Sequence, residues 1–290
     1  MQKRKNLRTW IEVDSRALEH NLKQFLKLIP RRTRFMAVVK SNAYGHGLVD
    51  TAKALLALRS FSEGGWLGVD SITEAFRLRK EGIKNPILVL GFTLGSMMQD
   101  AARNNIIVSV SNFDSLADLA RAKEKPIFHL KFDTGMHRQG FLPEQTPQLM
   151  KLMKRHGLSP QGMFTHFAAA KDIAYPTYTL EQFRKFNMIA KLFEQAGFKN
   201  IIRHTAASGG TLLFPETDLD MVRVGMGIYG YWPSPESRIM NHEPEIILRP
   251  PLQWKTIVAE TKEIPKGSYI GYDLTERVSR KTNIAVLPVG

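Results

Sequence analysis

Short runs of apolar and β-branched residues alternate with longer segments of helical periodicity between Arg34 and Tyr231. The runs read as strands, with the sequences RFMAVV, WLGV, PILVL, IIVSV, IFHLKF, GMFTHF, IIRHT and MVRV. This alternation is typical of βα units repeated around a parallel sheet. About eight units over roughly 200 residues lie near the lower limit for a closed (β/α)8 barrel. An open, doubly wound sheet is the alternative.

The segments between the strands carry helix signals. ITEAFRLRKEG begins after Ser71, and Ser71 with Glu74 forms a capping-box pattern. TLEQFRKFNMIAKLFEQAG has an apolar face made of Phe183, Phe186, Ile189, Leu192 and Phe193. A further helix, SRALEHNLKQFLKLI, is predicted just before the first barrel strand.

The pattern changes after the proline-rich stretch WPSPESRIMNHEPEIILRPP, which reads as a linker. The segments LQWKTIVAETKEI, SYIGYD and TNIAVLPVG alternate or run apolar without helices, as in a β domain. We therefore expect an α/β protein: a TIM-like (β/α)8 barrel with an N-terminal strand and helix over residues 1–236, and a β-rich C-terminal domain over 237–290. Too few strands precede Gly290 to close a sheet, so we expect this domain to be incomplete and the chain truncated.

Composition narrows the class of protein. Of the 290 residues, 43% are hydrophobic and 23% charged, as in ordinary globular proteins. The formal net charge of +14 attracts anions such as phosphates without naming a partner. The absence of cysteine excludes disulfides, thiolate metal sites and cysteine nucleophiles. No signal core or membrane-length apolar run is present, and we expect a cytoplasmic protein.

Lys40 ends the first predicted barrel strand and opens the loop SNAYGHG. In a barrel it would emerge at the carboxyl ends of the strands, where active sites are built. Desolvation there disfavours the ammonium and frees the amine as a nucleophile or base, the property that a Schiff-base lysine needs. The position of Lys40 by itself favours a structural role, in which the lysine only marks the edge of a buried strand.

Five motifs along the chain, in order, resemble segments of bacterial alanine racemases: WIEVDSRALEHNL, AVVKSNAYGHG, HLKFDTGMHRQGF, FTHFAAAKD and RVGMGIYG. The second resembles the pyridoxal-phosphate attachment signature of that family. The resemblance implies a barrel followed by a β domain, pyridoxal 5'-phosphate on Lys40, and a homodimer with its active site at the subunit interface. It also implies interconversion of L- and D-alanine, which supplies D-alanine for peptidoglycan.

Inversion at Cα needs a base on each face of the amino acid. The resemblance implies that Lys40 serves one face and Tyr272, in SYIGYDLT, the other. A free phenol titrates near pH ~10, so a tyrosine base near pH 7 needs its phenolate stabilised by roughly 4 kcal/mol, which cationic neighbours must supply. Without the resemblance, Tyr272 reads as a half-buried strand aromatic.

The resemblance also places Arg223 against the pyridine nitrogen of the cofactor. A guanidinium donates a hydrogen bond but does not hand over its proton, so the ring nitrogen stays neutral and transamination is discouraged. The alternative is a barrel-mouth arginine paired with an acid such as Asp220. His166 is expected between Arg223 and the reacting face, in a supporting hydrogen-bond network.

The cofactor phosphate is expected at Tyr44, Ser208 and the backbone N–H groups near Gly225 and Met226, because barrels often hold phosphates in their last loops. The family commonly has an asparagine just before this serine, where the chain has Ala207. One polar contact is therefore in doubt. The alternative role of Ser208 is an N-cap.

His129, Lys131 and Asp133 share one face of a strand by the period of two. A buried, unpaired ammonium at Lys131 would be costly. The resemblance implies that Lys131 is carbamylated and holds Arg138, which would contact the substrate carboxylate and the Tyr272 phenol. Pairing of Lys131 with Asp133 or with an acid of a neighbouring strand is the alternative.

Other functions fit less well. A non-catalytic pyridoxal-phosphate carrier lacks a β domain, so Tyr272 argues against it, and a barrel decarboxylase conflicts with Arg223 and the lack of cysteine. A serine or broad-specificity racemase stays open. The histidines lack the spacing of a metal site, and the basic run QKRKNLR reads as a solvated arm, so we expect no metal, nucleic-acid or membrane partner. Because the β domain is expected to be incomplete, we expect weak cofactor binding and an inactive or poorly folded chain.

Overall fold

The computed structural model describes residues 7–172, 174–239 and 245–289. The basic run before Leu7 and residues 240–244 of the predicted linker lie outside them. The strands are β1 (Thr9–Val13), β2 (Arg34–Val38), β3 (Trp66–Val69), β4 (Ile87–Val89), β5 (Ile106–Val110), β6 (Phe128–Lys131), β7 (Gly162–Phe164), β8 (Ile202–His204), β9 (Met221–Val224), β10 (Leu252–Thr256), β11 (Glu260–Ile264), β12 (Tyr269–Ile270), β13 (Glu276–Arg277) and β14 (Thr282–Val286).

The helices are α1 (Ser15–Leu28), α2 (Lys40–Tyr44), α3 (Leu48–Leu56), α4 (Arg59–Ser62), α5 (Ile72–Lys80), α6 (Met98–Arg103), α7 (Phe113–Arg121), α8 (Thr146–Arg155), α9 (Pro176–Gln195), α10 (Ser208–Leu213) and α11 (Pro235–Ile239). Ser71 caps α5 as predicted, because its side chain accepts the N–H of Glu74. The Glu74 carboxylate takes the N–H of Asp70, so only half of the expected capping box forms. No described helix combines the length and apolar character needed to cross a membrane.

Eight parallel strands form one sheet in the order β8-β7-β6-β5-β4-β3-β2-β9. The two end strands meet through backbone hydrogen bonds: Arg223 N–H donates to the Ala206 carbonyl (3.0 Å), and Asp220 N–H to that of Arg203 (3.1 Å). The sheet therefore closes into the predicted (β/α)8 barrel, and the open-sheet alternative is wrong. All eight predicted barrel strands occur in the predicted order.

Apolar side chains fill the barrel and the layer between strands and helices. One cluster, on the opposite strand face from the larger helix-facing core, comprises Met36, Trp66, Leu88, Ile107, Ile202 and Met221. The predicted apolar face of α9 is buried at Phe186, Ile189 and Phe193, whereas Leu192 is 42% exposed. Each fully buried large side chain contributes roughly 1.5–3 kcal/mol, so this packing holds the strand ends in place.

The described residues before Ser15 form a second compact unit with those from Leu252 onward. In this unit β1 pairs antiparallel with β10, β11 with β14, and β12 with β13. The division falls after Pro251, whereas the sequence suggested residue 236. The N-terminal strand, expected with the barrel, belongs to the β unit because its backbone partner is β10.

Candidate active site

A cavity of about 550 Å³ lies at the carboxyl ends of the barrel strands. It brings together every site residue that the sequence placed in the barrel. These residues are Lys40, Tyr44, Lys131, Arg138, His166, Ser208, Arg223, Gly225 and Met226. They follow or end five different strands, so the closed barrel is what assembles them.

The cavity is strongly cationic. Lys40, Lys131, Arg138 and Arg223 line it, and Asp70 is the one acidic side chain among its described lining residues. The Asp70 carboxylate lies 3.8 Å from Lys40 Nζ. Asp70 was not among the predicted site residues, although an acid directly after the buried strand WLGV was an available signal. Such an excess of positive charge attracts an anionic ligand.

The short element α2 is a strained left-handed turn, and it presents Lys40 and Tyr44 to the cavity. Ser41, Asn42, Ala43 and Tyr44 all have φ between 53° and 55°, the left-handed region. For non-glycine residues this costs roughly 1–2 kcal/mol each, so the surroundings must impose it. The Asn42 side chain accepts the N–H of Leu48 (3.0 Å), and the Asn42 N–H donates to a neighbouring carboxylate (3.1 Å). Strain of this kind clusters at functional sites.

The turn that is predicted to bind an anion follows β8 and β9. Ser208, which is 4% exposed, accepts N–H groups of Gly225 (3.1 Å) and Gly227 (3.3 Å) through its hydroxyl. It does not cap α10, whose first residue it is, so the N-cap alternative is wrong. A Cβ on Gly225 would lie 2.5 Å from the Tyr44 hydroxyl oxygen. Two hydroxyls and backbone N–H groups thus converge where glycine leaves room, as a phosphate requires.

Arg223 is buried, and both terminal nitrogens of its guanidinium donate hydrogen bonds within the barrel. Nη1 donates to Nδ1 (3.0 Å) and the carbonyl (2.8 Å) of His204. Nη2 donates to the carbonyls of Thr165 (2.8 Å) and Thr205 (3.0 Å). The Nε–H group has no acceptor among the described residues and is left for a ligand. Burial lowers the pKa of Arg223 to about 9, so it stays protonated at pH 7.

Arg223 has neutral partners, contrary to the alternative that paired it with Asp220. Asp220 instead binds Arg203, with an Nε–oxygen distance of 3.0 Å. His166 Nδ1 lies 3.4 Å from Arg223 Nη2, so His166 joins a hydrogen-bond network with Arg223; its place between Arg223 and the reacting face stays a prediction. Burial and then the Arg223 charge lower the pKa of His166 to about 3, so His166 is a neutral acceptor at pH 7.

Lys131 is 6% exposed and lacks a carboxylate partner in the described part of the chain. Its Nζ donates to the Gln139 side-chain oxygen (3.1 Å) and the Leu90 carbonyl (3.4 Å). The alternative pairing with Asp133 is wrong, because that carboxylate accepts backbone N–H groups of the following loop, including that of Arg138 (2.9 Å). Burial, followed by the nearby cations, lowers the pKa of Lys131 to about 8.

Two predicted residues remain available to a ligand. The Arg138 side chain lines the cavity and makes no hydrogen bond to a described residue, so it can bind a carboxylate. Tyr272 lies in the second unit, in the short 3-10 turn Tyr272–Leu274, and is 95% exposed. The half-buried strand position considered for Tyr272 is therefore wrong.

The site defines a class: a (β/α)8 barrel whose mouth combines a lysine, an anion-binding turn and a buried arginine, as in barrels that hold a phosphorylated cofactor. Residues 13–233 match the family described as alanine racemase, N-terminal domain. The alanine racemase of Desulforamulus reducens is 35% identical over 287 residues, covering 97% of this chain and 75% of that protein. The chain belongs to the alanine racemase family, whose members are isomerases acting on amino acids and use pyridoxal phosphate.

Solved structures of alanine racemases are similar to this chain in fold. The alanine racemase of Clostridium difficile 630 has a TM-score of 0.88 and 32% identity, covering 98% of this chain and 74% of that one. The alanine racemase of Bacillus anthracis with bound L-Ala-P has a TM-score of 0.85 and 31% identity, covering 97% and 72%. The family, the fold class and the enzyme class predicted from the motifs are confirmed.

We predict that Lys131→Met stabilises the cofactor-free chain at pH 7 in buffer free of carbon dioxide. The folded-state pKa of about 8 lies below the 10.5 of an ordinary lysine, so the charged form opposes folding at pH 7. That cost fades as pH rises from about 8 to above 10. Urea unfolding should show a gain of roughly 2 kcal/mol at pH 7 that shrinks at high pH. The exposed Lys123→Met is the control, and an equal, pH-independent effect of both substitutions would contradict the prediction.

Proposed function

We propose that this chain binds pyridoxal phosphate through Lys40 and interconverts L- and D-alanine, supplying D-alanine for peptidoglycan. The observation that carries the proposal is the convergence of three features on one cavity: the Lys40 amine, the turn of Ser208 and Gly225, and the Arg223 guanidinium. The choice of alanine is supported by the names of the relatives and by the L-Ala-P bound in the Bacillus anthracis enzyme.

The residues fit this cofactor group by group. Lys40 would hold its aldehyde carbon, and the hydroxyls of Tyr44 and Ser208 with the N–H groups near Gly225 would hold its phosphate. Burial and the Asp70 charge raise the pKa of Tyr44, so its hydroxyl stays a donor at neutral pH. The unused Nε–H of Arg223 suits a ring nitrogen. When bound, pyridoxal phosphate supplies an electron-withdrawing ring that acidifies the Cα–H of an amino acid.

Two bases on opposite faces of Cα carry out the inversion. Lys40 Nζ removes the proton from one face, and the Tyr272 hydroxyl delivers a proton to the other; the reverse direction exchanges the roles. One proton enters and one leaves, so the amino acid changes only its configuration. Arg138 would bind the substrate carboxylate and fix which face meets which base.

Arg223 restrains the reaction to racemisation. Its guanidinium stays charged at pH 7 and would donate to the ring nitrogen of the cofactor without transferring its proton. Arg223 would therefore leave that nitrogen unprotonated, and the cofactor would withdraw less electron density than with an acid as partner. Proton return to Cα is favoured over transamination.

Tyr272 needs a cationic site that the described residues of its own unit do not place against it. Its side chain is 95% exposed and makes no hydrogen bond to a described residue. A tyrosine base near pH 7 needs nearby positive charge, and four cations line the barrel cavity. We therefore propose a homodimer in which Tyr272 of one subunit faces the cavity of the other.

Lys131 is proposed as the site of a carbamate. With its pKa near 8, a substantial fraction of the amine is neutral at pH 7 to 8 and can attack carbon dioxide. The ammonium first loses one proton to give the free amine; a nitrogen–carbon bond then forms as one C=O π bond of carbon dioxide opens, and a second proton leaves the nitrogen, so the buried cation becomes an anion. That anion would offset the charges of Arg138 and Arg223 and hold the Arg138 side chain in place.

The carbamate is tested by 13C NMR with labelled bicarbonate. We expect a carbamate resonance in the native chain that Lys131→Met abolishes and the exposed Lys123→Met retains. A native spectrum without this resonance would show that the amine stays free.

Cofactor attachment and activity are tested with Lys40→Ala. We expect the visible absorbance of bound pyridoxal phosphate to vanish and alanine racemisation to fall by several orders of magnitude, because the anchoring amine and one base are lost together. Lys80→Ala, at the end of α5, is the control.

The same assay separates the alternatives. Cofactor absorbance without racemisation would favour a carrier, and equal turnover of serine would indicate broad specificity; ornithine should not react. The assay also decides between the proposed activity and the contrary expectation from the sequence, that this chain binds cofactor weakly and is inactive or poorly folded; wild-type-like turnover would make that expectation wrong.

The shared active site predicts complementation between two inactive variants. Lys40→Ala and Tyr272→Phe chains, refolded together, form mixed dimers in which one site has both native bases. With random pairing, about a quarter of native activity should return. Mixtures as inactive as the separate variants would mean that both bases act within one chain.

A further inference from the structure

A line of buried hydrogen bonds leads from Arg223 away from the cavity. Arg223 Nη1 lies 3.0 Å from His204 Nδ1, and His204 Nε2 lies 2.8 Å from His129 Nδ1. His129 Nε2 lies 3.3 Å from the side-chain oxygen of Gln161. Gln161 directly precedes β7, so the line ends at the amino ends of the strands, opposite to the cavity.

The direction of every bond in this line follows from its first member. A guanidinium only donates, so His204 Nδ1 accepts and carries no hydrogen. The His204 hydrogen is then on Nε2 and is donated to His129 Nδ1. His129 in turn has its hydrogen on Nε2, and it needs an acceptor beyond, which the Gln161 carbonyl oxygen supplies. The four groups form one chain in which each histidine has a single allowed tautomer.

Neutral histidines are required for this arrangement. Burial lowers the pKa of His129 to about 4 and that of His204 well below its ordinary value. Both rings are completely buried, and the charge of Arg223 disfavours a second cation beside it. At pH 7, Arg223 is therefore the one charged group among the four hydrogen-bonded side chains of this line.

Packing holds the rings in this line. The Phe164 ring stacks on His204 with centroids 4.8 Å apart and planes 10° apart, and the Arg223 guanidinium lies 5.3 Å from the Phe164 centroid. Gly162 gives His129 its space, since a Cβ there would approach the imidazole to 2.5 Å. Neither histidine can turn its ring without displacing these neighbours.

We propose that His129 and Gln161 are positioning residues for Arg223. Arg223 sets the direction of the bonds, and Gln161 accepts the last hydrogen of the line; without that oxygen, the Nε2–H form of His129 would leave a buried donor unpaired. His129 in turn accepts from His204, and His204 accepts from the Nη1 edge of the guanidinium. The Nε–H group then stays directed to the ligand. This last step rests on the proposed function, in which the ligand atom is the ring nitrogen of pyridoxal phosphate; the fixed tautomers do not.

The tautomers are measured by 15N NMR of histidine-labelled protein, because protonated and bare ring nitrogens have well-separated shifts. In the native chain we expect His129 and His204 to be neutral from pH 6 to pH 9, with hydrogen on Nε2 in both. A protonated His129, or hydrogen on Nδ1 of either ring, would overturn the proposal.

Variants at Gln161 test its part. Gln161→Met keeps the length of the side chain but removes the acceptor, and we expect His129 to lose its single tautomer. Gln161→Glu restores an acceptor and should restore the Nε2–H form. With cofactor bound, Gln161→Met should lower kcat about three- to tenfold, the size of one neutral hydrogen bond, while Gln161→Glu recovers most of it. Gln99→Met, which removes a surface amide, is the control.

The outcomes separate this proposal from the proposed function. If Gln161→Met leaves both tautomers unchanged, the positioning role of Gln161 is wrong, whatever the activity. If the native chain neither binds pyridoxal phosphate nor racemises alanine, the proposed function fails, and the tautomer measurement still decides whether the line of bonds exists.

Discussion

The site depends on a guanidinium buried in the barrel without a carboxylate. Arg223 is 4% exposed, and its described partners are carbonyl oxygens and neutral imidazoles. A carboxylate partner would cancel the charge; water would weaken the directional bonds. Neutral acceptors satisfy the N–H groups and leave the charge in place. Burial, followed by that charge, lowers the pKa of His166 and His204, and the same charge contributes after burial to the lowered pKa of Lys131.

A cavity with this excess of positive charge destabilises the folded chain and favours the binding of anionic groups. The barrel mouth contains four cations, one acid and a run of four left-handed residues that begins at Ser41. The excess of positive charge and the left-handed residues oppose folding, and the surrounding barrel core outweighs them. Cofactor phosphate and substrate carboxylate would both relieve the excess charge. Stability and affinity are therefore linked, since whatever binds the folded chain stabilises it.

The two proposed bases belong to different units of the chain. Lys40 is held by the barrel core, at the end of a buried strand, whereas Tyr272 is at an exposed turn between short strands. A rigid barrel suits the amine that holds a cofactor, because its position must be constant. An exposed phenol suits a group that completes a site across an interface. A dimer would thus make catalysis depend on assembly as well as on folding.

The local pattern of the chain predicted much of this protein. The eight barrel strands follow from periodicity, and the place of Lys40, Ser208 and Arg223 at one cavity follows from motifs that resemble the family, because both kinds of signal lie in short contiguous stretches of sequence. The family followed from the order of the motifs. For Lys131, the pattern left two roles open: carbamylation, or an ion pair with Asp133 or with an acid of a neighbouring strand.

The tertiary structure decided what depends on residues far apart in sequence. Asp70 beside Lys40, Gln139 on Lys131, and the pairing of Asp220 with Arg203 required a closed ring, because neighbouring strands are separated by whole helices. The N-terminal strand joined the β unit because its backbone partner begins at Leu252. The tautomers of His129 and His204 also depend on the fold, since an imidazole has a single allowed form only when fixed neighbours occupy both of its nitrogens.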